Sequence, residues 1–315
     1  MVRWEKSSTG IFSIEMEFEL LFNPGLECCV RHFILPEGMI IGFSEKEILS
    51  MKNPESQREL LELLVLHTMP GRTSDILQFT RPGLVCLSKE GNDESSSHFM
   101  GLKQHPVEEA ICHLATIHLD ELPEHFKANA LGKQLSFYIR KNELRSEWPA
   151  CKDDYKVLYE QEISKTNFNP NMCFGDAVNI DFLEILDIPD YNHSLLFQLN
   201  FSDEEQEIYE AVKMVYDDII TNGMNKDDII KLFGYPDAIQ NCVAYEAELM
   251  FNQREYSDDF YQDAVEWELL LQVSLYSNLL NTSEDLGEGT LYFMIRKDDF
   301  KHCQFENCVL INQCT

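Results

Sequence analysis

A ten-residue segment of this chain nearly recurs, with five of the ten residues identical. Leu135-Ser136-Phe137-Tyr138-Ile139-Arg140-Lys141-Asn142-Glu143-Leu144 returns 156 residues later as Leu291-Tyr292-Phe293-Met294-Ile295-Arg296-Lys297-Asp298-Asp299-Phe300. The same offset carries Ile117-His118-Leu119 onto Val273-Ser274-Leu275, so it holds across the loop between them. A fixed offset of this kind predicts two copies of one supersecondary unit. Leu135, Phe137 and Ile139, and likewise Leu291, Phe293 and Ile295, recur at every second residue, the period of a strand with one face on a core. The expectation is a fold built by internal duplication.

Other segments fill in the class. Phe12, Ile14, Met16, Phe18 and Leu20 alternate with polar residues and predict a strand. Val30–Leu35 reads as a second strand and a hairpin partner for the first. Ser44-Glu45-Lys46-Glu47 and Ser56-Gln57-Arg58-Glu59 have the form of capping boxes, and Pro54 between them predicts two helices rather than one. Ile76–Phe79, Leu84–Leu87, Val157–Tyr159, Phe182–Leu186 and Val309–Ile311 read as short strands, with Asn167–Cys173 irregular. Ser202-Asp203-Glu204-Glu205 opens the clearest helix, with Ile208, Ala211, Val212, Val215 and Ile219 as its apolar stripe and Asn222-Gly223 as its end. Asn225 is expected to cap a shorter helix through Ile229 and Ile230, stopped by Gly234. Trp267, Leu269, Leu271, Val273 and Leu275 alternate as a strand. The fold class is therefore mixed α+β: two related antiparallel β units plus amphipathic helices. The expected division is an N-terminal hairpin-like extension over 1–43 and a domain over 44–315. Its two copies span about 98–160 and 231–315, joined by a helical segment over 200–230.

The chain carries 55 acidic and 25 basic residues, a net charge of −30. A field of that sign repels phosphate backbones and anionic lipid surfaces. It disfavours nucleic-acid and membrane partners and is compatible with a basic protein partner. No signal-peptide pattern is present, since Glu15, Glu17 and Glu19 interrupt the first apolar stretch, and no apolar run reaches membrane-spanning length. The ten cysteines show no disulfide-framework spacing. They read as reduced thiols, and the location expected is cytoplasmic.

Several motifs resemble the YwqG-like family, a domain of unknown function found mostly in bacteria. Lys231-Leu232-Phe233-Gly234-Tyr235-Pro236-Asp237-Ala238-Ile239-Gln240 is similar to the family's glycine-tyrosine-proline-aspartate turn. Trp267-Glu268-Leu269-Leu270-Leu271-Gln272-Val273 is similar to its tryptophan-led strand, and Gly289 through Phe300 to its glycine-led strand. Asn312-Gln313-Cys314 resembles its ending. In the first copy, Ser97 through Pro106 stands where the family has two glycines and a proline, and Met100 and Lys103 occupy one glycine and the proline position. The resemblance implies a sheet-rich, internally duplicated fold over about 44–315. It implies no activity, although an immunity-type role is suggested by some bacterial members.

The candidate chemistry is sparse. His113 and His118 are five apart, which on a regular strand puts them on opposite faces and argues against a shared metal. Cys303, Cys308 and Cys314 lack the spacing of a zinc knuckle. Gly287-Glu288-Gly289 lacks the helix and lysine of a phosphate loop and reads as a tight turn. Arg140–Glu143 and Arg296–Asp299 read as solvated charged turns. The segment with most potential is Gly234, Tyr235, Pro236, Asp237 and Gln240. It joins a glycine able to turn left-handed, an aromatic ring, a stiff turn, a carboxylate and an amide. It reads either as a structural joint with Asp237 holding a backbone N–H, or as a ligand site in a cleft between the two copies. With no catalytic signature and no cofactor or metal motif, the reading leans to a non-catalytic interaction protein. The alternative is a small-ligand binder or enzyme with its pocket between the copies.

Overall fold

The computed structural model describes residues 2–6, 12–16, 30–34, 40–91, 96–101, 111–126, 134–140, 152–160, 175–225, 228–253, 262–280 and 288–314. Expectations about Asn167–Cys173, about Lys103 and about Gly287 fall outside them. The chain divides into two compact units, one over Met1–Pro82, Glu184–Tyr191 and Leu199–Met224, the other over Gly83–Leu183, Asn192–Gln198 and Asn225–Thr315.

The first unit holds two antiparallel ribbons. Strand β1 (Val2–Lys6) pairs with β2 (Phe12–Met16), and β3 (Val30–Ile34) pairs with β4 (Ile40–Ser44). The expected pairing of the second and third of these is therefore replaced by two local hairpins. Helix α1 (Glu45–Ser50) follows, then α2 (Pro54–Thr68). Pro54 stands at the first turn of α2, where its missing N–H costs nothing. Asn53, not Ser56, is the cap, its side chain accepting from the Ser56 N–H at 3.0 Å. Ile76, read as strand, lies in helix α3 (Thr73–Leu77).

Helix α5 (Asp203–Ile220), preceded by α4 (Ser194–Phe197) in the second unit, carries the capping box read from the sequence. Ser202 Oγ accepts from the Glu205 N–H at 3.2 Å, and the Ser202 N–H donates to Glu205 at 2.9 Å. Arg72 forks onto the same Glu205 carboxylate at 2.6 and 3.1 Å. Tyr209 and Tyr216 widen the buried stripe, each hydroxyl donating to a carbonyl, of Pro189 at 2.7 Å and Leu186 at 2.6 Å. Lys213 is buried too, with Asp217, Asp190 and Asp187 at 3.0, 3.7 and 3.9 Å from its Nζ.

The second unit is built on a ten-stranded sheet. Its strands are β5 (Arg81–Ser88), β6 (His98–Phe99), β7 (Ile111–His118), β8 (Gln134–Arg140), β9 (Tyr155–Glu160), β10 (Val178–Asp187), β11 (Ile230–Phe233), β12 (Trp267–Ser274), β13 (Thr290–Arg296) and β14 (Val309–Gln313). Their order is β14-β13-β12-β11-β5-β10-β6-β7-β8-β9. The neighbours from β14 to β5 and from β10 to β9 pair antiparallel. Ile229 and Ile230 were expected in a short helix; Ile230 instead opens β11. These β-branched residues suit a strand, and β11 is held on both sides, by β5 and β12. Two helices belong here as well, α6 (Val243–Asn252) and α7 (Lys297–Lys301).

The sheet curls into a nearly closed barrel. Tyr155 of edge strand β9 donates to the Cys308 carbonyl just before edge strand β14 at 3.1 Å, and the Tyr159 and Phe305 rings meet at 5.1 Å. The interior is apolar: Leu135, Phe137 and Ile139 face Leu291, Phe293 and Ile295, and Phe137 meets Phe293 edge-to-face at 5.1 Å. The two hairpins have the same register. Ile111 pairs with Arg140 as Trp267 pairs with Arg296, and each has one irregularity, at Leu114 and at Leu270. All of these positions are 156 residues apart.

The bulges change the parity of both strands. Cys112, Leu114, Ala115 and Ile117 lie in the core, leaving His113, Thr116 and His118 opposite Tyr138, Ser136 and Gln134 on the outer face. His113 and His118 thus share one face, against the expectation from strict alternation. The extra residue Leu114 adds one step to the count. On the outer face of the second hairpin, Trp267, Leu269, Tyr292, Met294, Val309 and Ile311 pack under α6.

Candidate functional site

Strand β11 ends in two consecutive left-handed residues, Phe233 (φ 59°) and Gly234 (φ 68°). The turn they make throws residues 235–240 across the outer face of β11–β14. Tyr235 is buried and packs edge-to-face on His193 at 5.0 Å. The Asp237 carboxylate takes Lys231 Nζ at 3.0 and 2.9 Å on its two oxygens and Gln272 Nε2 at 3.0 Å. Its backbone is held as firmly. The Asp237 N–H donates to Gln272 Oε1 at 2.8 Å, and the Tyr292 hydroxyl donates to its carbonyl at 2.6 Å. Farther on, Gln313 Oε1 accepts from the N–H groups of Ile239 and Gln240 at 2.9 and 3.2 Å, and Gln240 Nε2 donates to the Cys314 carbonyl. Gln313 Nε2 in turn donates to the Asn241 carbonyl and to Glu246 at 2.9 and 3.0 Å. Burial pushes the Glu246 carboxyl above its usual range, against the pull of the Gln313 and Asn241 amides.

The Asp237 carboxylate, N–H and carbonyl, and the N–H groups of Ile239 and Gln240, thus all meet the protein itself. Lys231 is 2% exposed, and such a buried ammonium needs the carboxylate beside it. The expectation is that the Asp237 side chain holds a backbone N–H; its carboxylate takes the Lys231 and Gln272 side chains, and its own N–H donates to Gln272. Gly234, Tyr235, Pro236, Asp237 and Gln240 stand out in the sequence, whereas their partners Lys231, Gln272, Tyr292 and Gln313 do not. The signal for them was parity: Gln272 and Tyr292 alternate with core residues and therefore look out at the turn. The five residues lie on the outer face, whereas the two hairpins meet across the apolar interior.

The counterpart turn in the other half of the sheet has the same backbone form. Strand β6 is followed by Met100 (φ 58°) and Gly101 (φ 92°). His98 pairs with Thr116 as Lys231 pairs with Gln272. His113 bonds the Met100 carbonyl and Thr116 Oγ1, each at 2.8 Å.

The charged end of β13 is not a solvated turn. Arg296 stacks over Phe251 and Trp267, 4.4 and 5.4 Å from the ring centroids, and donates to the buried Glu248 at 2.7 Å, which also accepts from Trp267 Nε1 at 2.7 Å. Lys297 donates to the Val265 carbonyl at 2.7 Å. Arg140, at the matching place on β8, donates to the Asp153 carbonyl at 2.9 Å, and 141–143 fall outside the described residues.

Cys303, Cys308 and Cys314 are free thiols, and burial raises the Cys308 thiol far above its ordinary range. Among the described residues no group of three or more His, Cys, Asp or Glu is placed to hold a metal ion, and no helix is long and apolar enough to cross a membrane. A family model described as "Domain of unknown function (DUF1963)" matches residues 99–314, from within β6 to just past β14. No curated protein matches the chain.

Proposed function

This chain belongs to the DUF1963 family, and on that premise we propose that it is a YwqG-like, non-catalytic interaction protein of the cytoplasm that holds a basic protein partner. The observation that carries the reading is the outer face of α5. Asp203, Glu204, Glu207 and Glu210 are exposed along one stripe, while the helix's single basic residue, Lys213, is buried among carboxylates. The stripe is therefore negative with no offsetting cation on its own helix. The overall charge of −30 works in the same direction and opposes nucleic acid and anionic membrane. The engagement of Asp237 by Lys231 and Gln272 fits a scaffold rather than an acid–base catalyst. The role is immunity-like or regulatory.

Duplication is part of the proposal. The shared register and the bulges at Leu114 and Leu270 support descent of both hairpins from one unit. The division into an extension over 1–43 and a domain over 44–315 goes with it.

The test is binding of a lysine-rich peptide to the wild type and to a variant carrying Asp203→Asn, Glu204→Gln, Glu207→Gln and Glu210→Gln. Affinity for the wild type should fall as salt shortens the Debye length from about 30 Å at 0.01 M to about 10 Å at 0.1 M. The variant should bind more weakly at low salt. Equal binding by both proteins, or binding indifferent to salt, defeats the reading.

A further inference from the structure

One end of the barrel is lined with aromatic rings in an unbroken run of contacts. Phe126, in the short turn of helix after β7, lies against Phe233 at 4.9 Å and 15°, nearly parallel. Phe233 meets Phe300 of α7 at 5.9 Å, Phe300 meets Phe305 at 6.0 Å, and Phe305 meets Tyr159 of β9 at 5.1 Å. Phe305 is buried; the other four are half-buried, so part of each stays open to solvent.

Two features set this end apart from an ordinary apolar plug. The first is backbone strain. A bulky side chain at φ 59° is an outlier, yet Phe233 holds that conformation, and Cys303, between Phe300 and Phe305, does the same at φ 56°. The Lys231–Asp237–Gln272 joint fixes the chain directly after Phe233. At the matching turn of the other half the left-handed residue is Met100, fully buried, so the strained turn does not by itself require a half-open aromatic ring. The second feature is charge. The segments that carry the rings also carry the exposed carboxylates Glu124, Asp298 and Glu306, against one exposed cation, Lys301. The cation–π contacts among the described residues, from Arg72, Lys152 and Arg296, fall on Phe201, Phe251 and Trp267. None of them falls on Phe126, Phe233 or Phe300, and the His125 ring lies against Phe126 at 4.2 Å.

We propose that this aromatic end is a binding site for an alkylated ammonium group. Ring faces attract such a cation through their quadrupole, and the methyl groups that weaken its hydration make its transfer onto aromatic surface favourable. The surrounding carboxylates raise its local concentration. The site is distinct from the acidic stripe of α5 and stands or falls separately from it. Two sources carry the group: a free choline-like molecule and the side chain of a methylated lysine.

The test is titration of ring-labelled protein, followed by the phenylalanine resonances, with choline, with the uncharged tert-butyl analogue of choline, and with a trimethyllysine peptide. Choline should give saturable shifts of the Phe233 and Phe300 rings, with the uncharged analogue at least about tenfold weaker. A peptide at least about tenfold tighter than choline assigns the site to a protein side chain, and equal affinities assign it to the free molecule. Phe300→Leu, which keeps an apolar residue on α7, should abolish the choline shifts at Phe233. Absence of saturable shifts, or equal binding of the uncharged analogue, overturns the proposal. That comparison uses the wild type alone and does not depend on how the variant folds.

Discussion

Replacing Asp237 by alanine removes one carboxylate and leaves the rest of its turn intact. The backbone bonds to Gln272 and Tyr292 persist, and Lys231 keeps its place on β11 without the Asp237 counter-charge. Breaking a buried ion pair from one side costs about 3–5 kcal/mol, because the remaining charge stays desolvated. The Asp237 side chain is 29% exposed against 3% for Lys231. Water reaches the cavity, and the expected cost falls to about 2–3 kcal/mol. Lys231→Met is the converse case: it leaves a carboxylate that still has Gln272 and solvent, and should cost about 1 kcal/mol. The double variant Lys231→Met, Asp237→Ala should be more stable than Asp237→Ala alone, because it removes the buried ammonium that Asp237 balances. Urea unfolding followed by tryptophan fluorescence, to which Trp267 contributes from its buried place on the neighbouring strand, measures all four proteins. At about 2–4 °C per kcal/mol for a domain of this size, Asp237→Ala should melt about 4–12 °C below the wild type. A carboxylate kept for a ligand would be removable at little cost. If Asp237→Ala stays within about 0.5 kcal/mol of the wild type, or Lys231→Met is the more damaging change, the joint reading of this turn is wrong.

Two further outcomes follow from local geometry. At Gly289 (φ +104°) an added Cβ would lie 2.1 Å from the Gln313 carbonyl oxygen, so Gly289→Ala should open the β13–β14 pairing and lower the melting temperature far more than Gly91→Ala. Gly91 has a similar φ (+124°) with nothing within 4 Å, and equal losses would refute the steric account. The Arg72 guanidinium, together with the Ser202 N–H, holds the Glu205 carboxyl at about 2, below the ordinary 4.5. A depressed carboxylate stabilises the fold above its unfolded value, and that contribution fades as pH falls from 4.5 toward 2. Glu205→Gln should therefore melt below the wild type at neutral pH, with the gap closing across that window; a gap independent of pH would contradict it.

Much of the scaffold was legible because it is written in local periods. The alternation of Leu291, Phe293 and Ile295 and the capping box at Ser202 each need only a few neighbouring residues to be recognised. The β11 segment was misread for the opposite reason. Asn225 and Gly234 look like helix punctuation, and only the flanking β5 and β12, distant in sequence, make Ile230–Phe233 a strand. The bulges at Leu114 and Leu270 were invisible to counting by twos, which is why His113 and His118 were assigned to opposite faces. At the candidate site the turn itself stood out through Gly234 and Pro236. Its anchors did not, since Lys231, Gln272, Tyr292 and Gln313 come from four different strands.

The meeting of β9 with the approach to β14 has a consequence for behaviour at high concentration. A row of unpaired N–H and C=O groups at the rim of a sheet recruits further strands, and growth from such rims leads to fibres. Here the two rims are turned toward one another and tied by Tyr155. A sheet that ends against itself gives an incoming strand from another molecule little to grow on, so this large β structure carries its own stop to polymerisation.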